Sequence, residues 1–492
     1  MRENILTWLG QRERGEPGTP RRLVCALPQR GDPVQAATEV RALGLPEEIA
    51  LHVVMASPDE SRGDWREDMH KPAIIIGTAD VLLAKALMRG YDTGRALAPI
   101  DFALVTNGAR WILPDADLCP QTAATLTRIA QFTTLYGTAE PLTFSSVHPV
   151  AGEHVSVLAR PGFLDLFDTE TEADIASYVC DGAELDAQVV RAAWIPGEDG
   201  APDPEIQPPP AGYRRRVPLG EVEALAKSRP VWRRHQGEWI PLTERARPYE
   251  VLLVHDDSGP ELLRPSEGAG AAAEKRPWQS LDDHSEQTRD QAEALLRVLS
   301  PDLPPGAARS AVVAAYLHDA GKAHETWQDA LCALAPPEDA ARIAAGRPWA
   351  KSGTTGVLEF ADGVSFRHEL ASLLLIDGPL RDLLAESPDP DLTRYLVLAH
   401  HGRLRLQVRD PADPTGETIL GLTPGATSGI PPMLNHPAST LTVALGQFAP
   451  GAAWSRTAES LLARYGPFTI AYLETVVRIA DWRASGGREL PG

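Results

Sequence analysis

Cysteine is scarce in this chain, and the four present, Cys25, Cys119, Cys180 and Cys332, form no C-x-x-C pair. That excludes zinc knuckles and a disulfide framework, and it fits a reducing cytoplasm. No apolar run approaches the roughly 18 residues of a membrane span, and the first residues do not read as a signal peptide. Positive charge is also short: 47 Lys and Arg face 67 Asp and Glu, for a formal net charge of −20. Nonspecific duplex binding runs on basic patches, so this chain would need bound metals, a local basic strip or a partner to hold nucleic acid. Finally, G-x-x-x-x-G-K-[ST] occurs nowhere. Without that loop there are no backbone amides and lysine to cradle phosphates, and no hydroxyl to hold Mg²⁺.

What the sequence does contain is a polar series inside apolar helices. At 492 residues there is room for two or three domains with a substantial core. The stretch Tyr316-Leu-His-Asp-Ala-Gly-Lys322 follows Ala311-Val-Val-Ala-Ala-Tyr-Leu317, which reads as a buried helix. Its His318-Asp319 pair offers one imidazole nitrogen and one carboxylate, and a carboxylate can bridge two metal ions. His284 stands at the start of a long helical pattern. His368 opens the apolar run Leu373 to Ile376, His400 and His401 close Tyr395-Leu-Val-Leu-Ala399, and Asp481 interrupts Val476-Val-Arg-Ile-Ala480. Burying a neutral polar group without a partner costs roughly 2 to 7 kcal/mol, and a charge costs more. A shared metal cluster would satisfy the whole series. His324 and His436 are expected to stand outside it, the first beside the site or at the surface, the second in a loop beside Pro437.

This ordered series resembles the HD-domain metal-dependent phosphohydrolases. More closely it resembles the HD nuclease of the DNA-degrading helicase–nuclease of type I CRISPR systems, in the variant whose HD domain follows the helicase. The matching phrases are His318-Asp-Ala-Gly-Lys322 with Trp327-Gln328, Lys351-Ser-Gly353, Phe366-Arg-His-Glu-Leu-Ala-Ser372, His400-His401 and Ala480-Asp-Trp482. The resemblance implies a two-metal site. His284, His318, Asp319 and Asp481 would hold one ion. Asp319, as the bridge, would hold the second with His368, His400 and His401. His318, Asp319 and Lys322 would be the catalytic residues, with the Lys322 ammonium near the scissile phosphate. Imidazole-rich ligation suits Mn, Fe, Ni or Co better than Mg.

The front of the chain alternates short apolar runs with helical patterns, which argues for a parallel α/β sheet. Strands are predicted at Arg22–Leu27, Ile49–Met55, Ala73–Gly77, Phe102–Val105 and Arg110–Leu113. Helices are predicted at Val34–Leu43, Ala79–Met88 and Thr122–Phe132. Pro20-Arg-Arg-Leu-Val24, Ile75-Ile-Gly-Thr78 and Pro99-Ile-Asp-Phe102 resemble phrases of the first motor domain of the same helicase–nucleases. The family's Asp-Glu-x-His box would align with Pro114-Asp-Ala-Asp117, where proline replaces the Mg²⁺-binding aspartate. No room remains for a second motor domain, so no ATP cofactor is expected. In the middle, Pro196–Pro210 and Gly259–Pro277 read as linkers. Tyr213-Arg-Arg-Arg216 and Trp232-Arg-Arg-His-Gln-Gly-Glu-Trp239 mix basic and aromatic residues, as single-strand binders do, and equally as a solvated face of a small β-domain does.

The expected architecture is therefore multidomain. A degenerate, partial RecA-like α/β helicase remnant spans 1–145, a β-containing middle region 146–278, and an all-α HD nuclease domain 279–492. The expected function is metal-dependent endonucleolytic cleavage of single-stranded DNA in CRISPR antiviral interference. No ATP-driven unwinding is expected. Expected partners are single-stranded DNA and an RNA-guided surveillance complex or a separate helicase, in the cytoplasm and with no membrane. Two other readings stand beside it: a non-catalytic adaptor docking on such a complex, and an HD phosphohydrolase acting on nucleotides.

Overall fold

The computed structural model describes residues 1–28, 33–54, 65–88, 97–114, 120–136, 142–146, 214–235, 238–243, 252–256, 259–266, 278–299, 303–333, 335, 339–343, 348–352, 358, 360, 366–402, 419–448 and 453–491. Its first part is a parallel sheet. Strands β1 (Arg22–Leu27), β2 (Ala50–Val54), β3 (Ala73–Thr78), β4 (Ala109–Leu113) and β5 (Thr143–Ser146) lie in the order β2-β3-β1-β4-β5. Every pairing is parallel, with Val24 opposite both Ile75 and Trp111. Parallel strands covered on both faces read as continuous apolar runs, and all six residues of β1 are buried. The pleat sorts them. Leu23, Cys25 and Leu27 join Ile5 and Trp8 of helix α1 (Arg2–Glu13) and Ala37 and Val40 of α2 (Pro33–Arg41). Val24 and Ala26 face the opposite layer, built from α3 (Ala79–Ala86), α4 (Ala98–Thr106) and α5 (Pro120–Leu135).

Helix α4 corrects one expectation, since Phe102–Val105 was predicted as a strand. All nine of its residues are buried and proline sits in its first turn. A short, fully apolar run has no polar face to reveal its period, so strand and helix look alike in sequence. Asp101, in the same helix, is buried between Arg66, which it accepts from at 2.5 and 2.9 Å, and Lys85 at 2.9 Å.

The middle region holds a second sheet with its own small core, formed by Val222, Val231, Leu252 and Val254. Its strands are β6 (Arg214–Pro218), β7 (Val231–His235), β8 (Glu238–Pro241), β9 (Leu252–Asp256) and β10 (Gly259–Ser266), in the order β6-β10-β9-β7-β8. Helix α6 (Leu219–Ser228) follows β6. The predicted linker beginning at Gly259 is thus a strand as far as Ser266, paired with both β6 and β9. Pro196–Pro210 and the box residues Asp115–Asp117 lie outside the described residues, as do 29–32 between β1 and α2.

The C-terminal part is mainly helical: α7 (Leu281–Leu299), α8 (Ala307–Leu317), α9 (Glu325–Ala333), α10 (Ala340–Ile343), α11 (His368–Asp377), α12 (Arg381–Leu384), α13 (Pro390–Ala399) and α14 (Ala453–Ser485). Two small antiparallel two-stranded sheets join them, β11 (Gln279–Ser280) with β12 (Trp349–Lys351) and β13 (Thr427–Ile430) with β14 (Ser439–Thr442). The part is therefore not purely α. Among the described residues no helix is long and apolar enough to cross a membrane.

One apolar core runs from the inner face of the first sheet into these helices. Phe102 of α4 stacks on Phe468 of α14 with ring centroids 5.3 Å apart. Arg21 donates to the Val298 carbonyl at 2.8 Å, and Arg483 donates to the Glu67 carbonyl at 3.0 Å. Helix α14 bends at Gly466, whose φ of 73° is in the left-handed region, and Pro467 follows. A Cβ there would collide with the carbonyl oxygen of Tyr136, so the glycine is needed for close approach as well as for φ.

Because the core is shared, Phe102→Ala is expected to destabilise the protein by about 3–5 kcal/mol. Hydrogen exchange should show amides of β1 and α8 losing protection together. Exchange of Arg22–Leu27 with full protection kept across Ala307–Leu317 would count against a common core.

Candidate metal centre

Each histidine of the series is placed by a helix end. Ser280 caps α7, its hydroxyl accepting from the Asp283 amide at 3.1 Å, which fixes the first turn and carries His284 into the interior. His318 is the C-cap of α8 and His400 that of α13. Asp389 caps the other end of α13, accepting from Leu392 N, and Pro390 takes the first turn. His368 opens α11.

The ring orientation follows from the backbone. His318 Nδ1 lies 2.8 Å from the Ala315 carbonyl oxygen, and His400 Nδ1 lies 2.7 Å from that of Val397. A carbonyl only accepts, so Nδ1 carries the proton in both rings. His284 Nδ1 makes the same kind of bond to Gln279 Oε1 at 3.1 Å. In all three the Nε2 atom then points inward without a hydrogen-bond partner, as does Asp319 Oδ1.

These orphaned atoms converge. His284 Nε2 lies 3.2 Å from Asp319 Oδ2 and 3.0 Å from Asp481 Oδ1, and His318 Nε2 lies 3.4 and 3.8 Å from the same two oxygens. On the other side, Asp319 Oδ1 is 3.1 Å from His368 Nε2 and 3.9 Å from His400 Nε2. His401 Nε2 meets His368 Nε2 at 3.1 Å. Donor atoms about 2.1 Å from a common ion are separated by roughly 3.0 Å on an octahedral edge and 3.4 Å on a tetrahedral one. The spacings observed fall near those of donors around a common ion. Two sets could each hold a metal: His284, His318, Asp319 and Asp481, and Asp319, His368, His400 and His401, with all donor atoms of a set within 4.8 Å of one another. The structure thus brings together every ligand candidate from the sequence. His324 stays outside, packed on Phe366, and His436 pairs with Asp382.

Charge is distributed to match. Burial holds the His400 pKa down at about 3, helped by His318 and His368 nearby, and burial likewise lowers His368 and His401. Neutral imidazole is the form that ligates. Burial opposes ionisation of Asp319, but His318 and Lys322 outweigh it and hold its carboxyl well below the usual range. For Asp481, Lys351 does the same against burial. His318 is the exception among the rings: burial pushes it down, yet Asp319 and Asp481 raise it to about 9.

Several supporting residues were not assigned from sequence. Lys322 was, and its Nζ lies 2.5 Å from Asp319 Oδ2. Lys351, known in the sequence only as part of a matching phrase, brings Nζ within 3.2 Å of Asp481 Oδ1. Gln279 orients His284, and its position immediately before the Ser280 cap was the available signal. Ser372 accepts from Gly321 N and donates to the His318 carbonyl, both at 2.7 Å, tying the 3₁₀ turn Ala320–Ala323 to α11. Gly321 permits that approach, because a Cβ would strike the His368 carbonyl and the Ser372 amide.

A mainly helical domain that gathers a His-Asp dipeptide, four further histidines and a distant aspartate into one cluster has the makings of an HD domain. Residues 269–488 match the family model described as Cas3, HD domain. The chain thus carries, behind its parallel sheet, the HD domain of a Cas3-type metal-dependent nuclease of CRISPR systems. No curated protein and no solved structure matches it.

Two outcomes are expected. Metal-free protein binding Mn²⁺ near neutral pH should release about one proton, because His318 titrates at about 9 and must be neutral to ligate. Affinity should therefore rise with pH and level off above about 9. Calorimetry in buffers of different ionisation enthalpy reads this, and a buffer-independent heat would contradict it. Gly321→Ala should part the 3₁₀ turn from α11 and lower the bound metal measured by elemental analysis. Full metal content in that variant would show that the close approach is dispensable.

Proposed function

We propose that this chain is a two-metal nuclease that cuts single-stranded DNA during CRISPR interference, without unwinding DNA itself. The observation that carries this reading is the divided carboxylate of Asp319, one oxygen among His284, His318 and Asp481 and the other against His368 and His400. His284, His318, Asp319 and Asp481 would hold one divalent ion, and Asp319, His368, His400 and His401 the second. The donor set is rich in imidazole, which favours Mn, Fe, Ni or Co. Such ions supply activated water and neutralise charge on a phosphodiester. The chain's own groups do the rest. The Ala315 and Val397 carbonyls hold the Nδ1 protons of His318 and His400 and so aim Nε2 inward. Lys322 keeps the Asp319 carboxylate charged and in place, and adds a cation beside the cluster.

The parallel sheet is read as the remnant of a helicase motor that serves as a docking piece. Its support is the missing phosphate loop and Pro114 at the end of β4, where the aligned box needs an aspartate. DNA would then be opened by a partner, an RNA-guided complex or a separate helicase.

Purified protein with Mn²⁺, Co²⁺ or Ni²⁺ should degrade circular single-stranded DNA, leave relaxed duplex largely uncut, and be stopped by EDTA. Asp319→Ala and His318→Ala should lose the activity. ATP should not be hydrolysed and should not raise the melting temperature, although a ligand at 100 times its dissociation constant would stabilise by about 2.7 kcal/mol. Parent-like cutting by Asp319→Ala would overturn the site assignment. Metal-loaded protein that binds its partner complex but cuts no single strand would instead support the adaptor reading.

A further inference from the structure

Lysines 322 and 351 come from separate elements and end beside the same pair of carboxylates. Lys322 leaves the 3₁₀ turn after the His-Asp pair, and its Nζ reaches Asp319 Oδ2 at 2.5 Å. Lys351 ends β12, and its Nζ reaches Asp481 Oδ1 at 3.2 Å. Gln328 locks the two elements together. Its amide nitrogen donates to the Lys322 carbonyl at 2.6 Å and to the Trp349 carbonyl at 2.9 Å, while its oxygen accepts from Trp349 N at 3.0 Å. Pairing of Lys351 with Gln279 in β11 then fixes the strand against the start of α7.

The two lysines differ in exposure. The Lys322 side chain is 4% exposed, whereas that of Lys351 is 23% exposed. Lys351 therefore stands on the solvent-facing side of the cluster. The carboxylate oxygens it and Lys322 contact are the ones nearest His284 Nε2, at 3.0 and 3.2 Å. Those oxygens are wanted by an ion as well. Two ammonium groups thus stand against two carboxylates. Divalent ions at the same oxygens would add positive charge, against the carboxylates of Asp319, Asp481 and Glu369, the last beside His368. The loaded site would thus hold a strong local excess of positive charge inside an acidic protein, with one part-exposed ammonium at its edge. An anion is the missing partner.

Resting on the nuclease reading above, we infer that Lys351 is a phosphate-binding cation, which turns from Asp481 to a backbone phosphate of the single strand when the metal site is filled. It acts with Lys322 as a clamp whose spacing Gln328 sets. Lys351 is thereby a contact to substrate and not a metal ligand, and its loss should weaken DNA binding and leave metal binding intact.

The test uses the full chain loaded with Mn²⁺ and a short fluorescein-labelled single strand with cleavage-resistant phosphorothioate linkages, read by anisotropy over a range of salt. Lys351→Met should keep the parent's metal content by elemental analysis. It should bind the strand about 10- to 100-fold more weakly, as expected for one charge-assisted contact. Its plot of log affinity against log salt should be shallower by about 0.7, one phosphate contact on a single strand. Lys351→Arg should recover most of the affinity and the slope. Parent-like affinity and salt slope in Lys351→Met would overturn the inference. So would a loss of metal that accounts for the weaker binding, which would make Lys351 a structural partner of Asp481. Because binding is read without cutting, the inference is decided even if the parent proves inactive. A parent that binds through Lys351 but cuts nothing would fail the nuclease reading alone.

Discussion

The carboxylate of Asp319 is the constraint around which the C-terminal half is organised. It is 1% exposed, it is charged, and its two oxygens face different groups of nitrogen donors. A buried charge needs partners on every side or it would be expelled. Here the partners come from α7, α8, the 3₁₀ turn, α11 and α13, so these elements must meet at one point. The two C-cap positions matter for the same reason. A histidine at a helix end can give Nδ1 to a carbonyl of its own last turn and still present Nε2 beyond the helix, which an interior position could not do as freely.

The second constraint is closeness. Nitrogen and oxygen atoms held about 3 Å apart need their backbones to approach nearly to contact. Gly321 allows the 3₁₀ turn to lie on α11, and Ser372 uses both of its hydrogen-bonding capacities to hold it there. Helix α14 is set from the other side. Its bend at Gly466 fits against Tyr136, and Phe468 stacks on Phe102, so the sheet-bearing part supports the helix that delivers Asp481. The front half is therefore part of the framework of the metal centre. The proposed docking piece also holds the site together.

The acidic character of the chain and its chemistry on an anionic polymer are reconciled locally. A net charge of −20 repels DNA at a distance. Close to the cavity, Lys322 and Lys351 stand beside a site built to take up cations. On the proposed reading, attraction is confined to the metal-loaded site and capture from afar falls to a partner.

Much of this was legible in the residues. The strands of the first sheet could be placed because both faces are covered and the runs are apolar throughout, as in β1 and β3. The ligand series could be read because each polar residue interrupts or ends an apolar helix. Helix α4 could not, since a run buried on all sides shows no period, although Pro99 in its first turn was a usable sign. Strand β10 was hidden by Gly259, Pro260 and Pro265, which local rules assign to loops and which pairing with β6 and β9 overrides. By itself the sequence determined the chemical inventory: which donors exist, in what order, on which elements, and that no phosphate loop accompanies them. Only the tertiary structure decided how they are shared. That Asp319 divides its oxygens, that Lys351 reaches Asp481, and that one core joins sheet and helices are facts of packing between residues from tens to hundreds of positions apart, and no local rule encodes contact at that separation.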